Sequence, residues 1–185
     1  MKIFLYSVAA LLGVATTTAY GQHASHHMSD PEIIKLSLSA APKAIAKDAT
    51  VIDIGADGNV RVVRQAKGEW TCMPGKGNPK APDPMCGDKN AMAWATAWMQ
   101  KKEPPANQVG FMYMLRGDNG ASNTDPYATE AKAGNNWVKT GPHVMIVGSG
   151  AKMLAGYPRD ANPDPSKPYV MWPGTPYEHL MLPMK

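Results

Sequence analysis

The apolar and polar positions of this chain change their period several times. Residues 3–14 are almost all apolar, follow Lys2, and precede a small polar stretch, residues 15–21. That order predicts a secretory signal cleaved after Gly21, with Ala19 and Gly21 in the −3 and −1 positions. The run is shorter than the roughly 20 apolar residues a membrane-spanning helix needs, and no later stretch reaches that length. The expected product is exported, periplasmic or extracellular, without membrane insertion once the signal is removed.

Beyond a polar tail, residues 22–29, the period becomes helical. Asp30-Pro31-Glu32 reads as a helix start with Asp30 as N-cap, Ile33, Ile34, Leu36 and Leu38 as its buried side, and Pro42 as its stop. β-branched residues at 50–54 and 60–64 flank Ala56-Asp57-Gly58-Asn59, which predicts a hairpin. Glu69-Trp70-Thr71-Cys72 reads as a third strand. Asp88 is expected to cap a second helix running to about Lys102, its face formed by Ala91, Trp94, Ala95, Trp98 and Met99. Residues 109–116 alternate, with Gly110, Met112, Met114 and Arg116 on one side. A loop is expected over 117–134, a strand at 143–147, a helical turn at 151–155, and extended segments at 169–172 and 177–182. These elements predict a single α+β domain, residues 30–185, on a mostly antiparallel sheet with two main helices and long Pro/Gly-rich loops.

Composition narrows the chemistry. With 17 Gly and 17 Pro in 185 residues, coiled coils are not expected, and a scattered net charge of +4 gives no basis for nucleic-acid binding. Export makes a Cys72–Cys86 disulfide the default reading of the only two cysteines; their spacing matches no zinc motif.

The candidate chemistry lies in methionine and histidine. Of five His, three have Met two residues later: His26 with Met28, His143 with Met145, and His179 with Met181. Random placement would give about 0.4 such pairs. Residues i and i+2 of a strand project from the same face, so His143, Met145, His179 and Met181 are expected to present two imidazoles and two thioethers on one surface. Those donors favour a copper ion, particularly Cu(I), with Trp172 as a possible shield. His23, His26, His27 and Met28 in the tail read either as a secondary capture site for metal or as a solvated polar leader. The expected function is copper sequestration or delivery, the partner being a metal ion or small molecule. Two alternatives remain: a small secreted hydrolase using Ser122, Asp125 and His143, the last as general base, though Gly-x-Ser-x-Gly is absent; and an extracellular ligand-binding module lined by Trp and Tyr.

Several segments also resemble a family of exported bacterial proteins with no assigned activity: Trp70-Thr71-Cys72-Met73-Pro74, Pro84-Met85-Cys86, Ser122-Asn123-Thr124-Asp125-Pro126, Gly141-Pro142-His143-Val144-Met145, Pro168-Tyr169-Val170-Met171-Trp172 and Gly174-Thr175-Pro176-Tyr177. The resemblance covers most of the chain after about residue 40. It implies export and brings no catalytic residue or cofactor.

Overall fold

A computed structural model describes residues 28–55, 57–75, 82–148 and 154–184. The expected signal segment, the tail histidines and most of the helical turn expected at 151–155 lie outside the described residues. The main element is an eight-stranded sheet. Its spatial order is β2 (Val60–Arg64), β1 (Thr50–Ile54), β3 (Thr71–Met73), β4 (Met85–Gly87), β5 (Val109–Met114), β8 (His143–Gly148), β10 (His179–Pro183) and β9 (Tyr169–Met171). A separate pair joins β6 (Ala121–Ser122) to β7 (Trp137–Val138), inside and just after the segment expected to be a plain loop. The sheet is mostly antiparallel, but β1 pairs with β3 in parallel. It is therefore mixed, because β2 turns back on the outer edge of β1 and β3 must then return to the inner one.

Helix α1 (Asp30–Leu38) covers one end of this sheet. Its N-cap is Ser29 rather than Asp30. The Glu32 carboxylate accepts the Ser29 N–H at 2.8 Å and its hydroxyl at 2.7 Å, which suits a Ser followed three residues later by Glu. Asp30 is thereby free to pair with Arg61 of β2 at 2.8 Å. Ile33 is buried and Ile34, Leu36 and Leu38 are half-buried, and the helix stops before Pro42, where the short α2 (Lys43–Ala46) begins. Beneath α1, Ile33, Val51, Cys72 and Cys86 share one apolar cluster. The expected disulfide is there: Cys72 and Cys86 are register partners of β3 and β4, bonded and fully buried.

Helix α3 (Lys89–Met99) covers the other half of the sheet. Asp88 caps it through Ala91 N–H (2.8 Å) and also accepts the Phe111 N–H (3.1 Å), which ties the helix start to β5. The helix ends at Met99, three residues before the expected end, and Lys101 adopts a left-handed φ of 56°. Met99 is 49% exposed, against expectation, while Ala97 is buried. At about 100° per residue these two lie on opposite edges of the apolar stripe, and the sheet takes the Ala97 edge. Ala91, Trp94, Met112, Met145 and Met181 belong to the core that results. Among the described residues no helix is long and apolar enough to cross a membrane.

Two features of this frame invite tests. A Cβ at Gly110 would overlap the Ala91 backbone nitrogen and lie 2.7 Å from its Cα, so α3 touches β5 where there is no side chain. Gly110→Ala is expected to destabilise the fold by about 2 kcal/mol, through overpacking against backbone that cannot rotate away. Chemical denaturation of the two proteins checks this. Reducing Cys72–Cys86, which closes a loop of about 15 residues, is expected to cost roughly 3 kcal/mol, read in the same assay with and without reductant.

Candidate functional site

The strands under α3 put methionine and histidine on one face. Register partners of antiparallel strands share a face. Met112 pairs with Met145, and Met114 with His143 across β5 and β8. Met145 pairs with Met181 across β8 and β10, and His179 with Met171 across β10 and β9. His143, Met145, His179 and Met181, expected from the sequence to share a surface, all project from this face, together with Met112, Met114 and Met171. All seven are buried, His143 at 0% and His179 at 1% exposure. Met145 and Met181 lie directly opposite each other. The two histidines start from opposite ends of that pair, His143 opposite Pro183 and His179 two residues before Met181.

Each imidazole is held in the same way. His143 Nδ1 lies 2.7 Å from the carbonyl of Gly141, and His179 Nδ1 lies 2.9 Å from that of Tyr177. A carbonyl only accepts, so Nδ1 carries the proton in both rings and Nε2 is left with its lone pair. Both Nε2 atoms are buried without a hydrogen-bond partner. Leaving such a group unsatisfied costs on the order of 1–3 kcal/mol each. Burial lowers the pKa of both rings. For His143 the hydrogen bond to Gly141 and the charge of Asp118 oppose the shift. For His179 the value falls to about 4, opposed by the Tyr177 hydrogen bond and assisted by His143. Both rings are neutral at pH 7.

The carbonyls that orient the rings sit in clamped turns. Asp118 accepts the Thr140 N–H at 3.0 Å and the Gly120 N–H at 2.8 Å, and donates its own N–H to Thr140 at 3.0 Å. Burial raises its carboxyl pKa. Thr140 Oγ1 is 2.9 Å from the Tyr169 hydroxyl, whose pKa burial raises to about 12. On the other side, Glu178 accepts the Gly174 N–H at 2.9 Å and pairs with Arg159.

Trp172 lies where a shield for His179 would, its ring centroid 5.0 Å from the imidazole at 77°. It has a φ of 56°, held by its backbone N–H to Asn123 O (3.0 Å) and its indole N–H to Ser122 O (2.8 Å). Trp94 of α3 approaches the same imidazole at 5.2 Å and stacks on Trp172 at 6.1 Å. The Trp94 indole N–H is also buried and unpartnered.

The hydrolase residues are not brought into one hydrogen-bonded chain. Ser122 Oγ accepts the N–H groups of Asp125 (2.8 Å) and Thr124 (3.2 Å), and Asp125 accepts the Tyr127 N–H (2.9 Å). These are the bonds of a tight turn. His143 gives its proton to Gly141, and its Nε2 makes no bond to Ser122. In the tail, His23, His26 and His27 lie outside the described residues, and Met28 is half-buried against the cluster under α1. The His-x-Met rule passed over Met112, Met114 and Met171. The alternation through residues 109–116 already put the first two on one face; Met171 needed the β9–β10 register.

Among the described residues no three His, Cys, Asp or Glu side chains gather as a metal site. No protein-family model, curated protein or solved structure matches the chain.

The pKa of His179 gives a pH prediction. Unfolded, the ring has its ordinary value of 6.5; folded, about 4. The unfolded chain thus binds the proton more readily, and the contribution of the neutral buried ring is complete above pH 6.5. It is lost as the pH falls from 6.5 towards 4, by on the order of 3 kcal/mol. Urea unfolding between pH 7.5 and 4 is expected to show this slope in the parent and a flatter one in His179→Gln.

Proposed function

We propose that this protein is an exported binder of copper, held as Cu(I), which it sequesters or delivers. His143, Met145, His179 and Met181 are the ligands. The observation that carries this reading is the pair of bare, buried Nε2 lone pairs on a methionine-lined sheet face. A lone pair that meets no donor is an electrostatic cost unless a cation takes it up. Metal-ligating histidines regularly give their other N–H to a backbone carbonyl, as both rings do here.

The donor chemistry selects among cations. Thioether and imidazole suit Cu(I); magnesium and calcium call for oxygen, and zinc for thiolate, imidazole or carboxylate. All four donors are neutral, so singly charged ions are the least costly to bury beside them. Both cysteines are tied up in the disulfide, which leaves no thiolate to compete and suits an oxidising compartment. Trp172 and Trp94 close the His179 side with aromatic rings, and the tail residues His23, His26, His27 and Met28 add a secondary capture site.

Competition for Cu(I) against a chromogenic chelator, without oxygen, tests the reading. The parent is expected to hold copper at least about tenfold more tightly than His143→Ala/His179→Ala, in line with the effects of losing groups that support a metal. Equal retention by both proteins would remove the sheet face as a copper site. Because both rings are closed to water, loading is expected to follow local opening of the fold and to run well below the diffusion limit. Stopped-flow mixing checks this, and mild denaturant should speed the uptake.

A further inference from the structure

We infer that this face holds two metal ions, one on His143 with Met145 and Met114, the other on His179 with Met181 and Met171. The inference rests on the soft-metal reading above and assigns its stoichiometry and two further ligands.

Register carries the argument. His143 stands directly opposite Met114 and two residues from Met145. His179 stands directly opposite Met171 and two residues from Met181. Directly opposed side chains have Cβ atoms about 5 Å apart, and i,i+2 neighbours of one strand are about 7 Å apart. Each imidazole thus has two thioethers as neighbours on its own side of the face. The histidines themselves are four register steps apart on adjacent strands, about 13 Å along the strands and about 5 Å across them, or roughly 14 Å between Cα atoms. An imidazole Nε2 lies about 4.5 Å from Cα and a metal–nitrogen bond adds about 2 Å, so each ring reaches about 6.5 Å. Two such reaches would have to lie flat along the sheet and aim straight at each other to approach that separation, whereas side chains of a strand stand off the sheet.

Gly141 precedes β8 and Tyr177 precedes β10, and these strands are antiparallel. The two Nδ1–H bonds therefore anchor the rings at opposite ends of the sheet, and each Nε2, on the far side of its ring from that anchor, is turned towards the thioethers of its own set. Met145 and Met181, paired at the middle, divide between the two sets. Two cations bound on adjacent strands would repel each other, so the second ion is expected to bind more weakly than the first.

Native mass spectrometry of the full chain titrated with Ag(I), a redox-inert stand-in for Cu(I), tests this. Two histidine-dependent ions are expected, with any held by the tail persisting in every variant. His143→Ala should lose one and His179→Ala the other. Met114→Leu and Met171→Leu keep the bulk of the core, verified by near-ultraviolet circular dichroism. Each should weaken one ion by about tenfold or more while sparing the other. A single ion lost on either histidine substitution and indifferent to both leucine variants would overturn the two-ion arrangement and leave the proposed function standing. Two ions that ignore the leucine variants would overturn the assignment of Met114 and Met171. No ion dependent on either histidine would overturn both readings.

Discussion

Each buried imidazole gives its single N–H to the carbonyl two residues before it, and this bond decides what the rest of the site is. It fixes the tautomer, turns Nε2 inward with a lone pair, and leaves that lone pair without a hydrogen bond on a face that carries thioethers and, beside His179, two indole rings. Had both rings found a hydroxyl or an amide on their inner sides, the face would be an ordinary apolar core with two satisfied histidines. A folded domain has only a small margin of stability, so two unsatisfied acceptors in one core are a substantial cost. The copper reading gives that cost a purpose.

The remainder of the fold keeps the two rings where they are. Asp118 holds the turn that carries Gly141, and Glu178 with Arg159 holds the turn that leads into His179. Trp172 is forced into a left-handed backbone by two hydrogen bonds to the Ser122–Asn123 segment, and its ring closes against His179. Strain of this kind persists only where surrounding contacts over-determine it. The covering helix approaches closely because Gly110 has no side chain beneath Ala91. The sheet is thus divided in work: the half under α1 is stapled by Cys72–Cys86, and the half under α3 carries methionine and histidine.

Much of this was legible in the order of residues. Alternation in residues 109–116, the β-branched runs beside Asp57-Gly58 and the Asp88 cap name β5, the β1–β2 hairpin and α3 within a few residues. The disulfide followed from the expected compartment and from the count of two cysteines. Local pattern could not reveal the parallel β1–β3 pairing, which depends on which edge of β1 is left open, nor the cap at Ser29, where Asp30 is drawn away by an arginine 31 residues later. The His-x-Met spacing found two of the strands that carry the site. It could not show that Met114 and Met171 oppose the histidines, since that is a fact of register between strands far apart in the chain.

The account stands on the state of two nitrogen atoms. Long-range ¹H–¹⁵N correlation spectra of the imidazoles, recorded at neutral pH before and after Ag(I), read it directly. The account predicts Nδ1 protonated and Nε2 bare in both His143 and His179, with the Nε2 resonances alone moving strongly as metal is added. Protons on Nε2, or Nε2 resonances that ignore the metal, would contradict it.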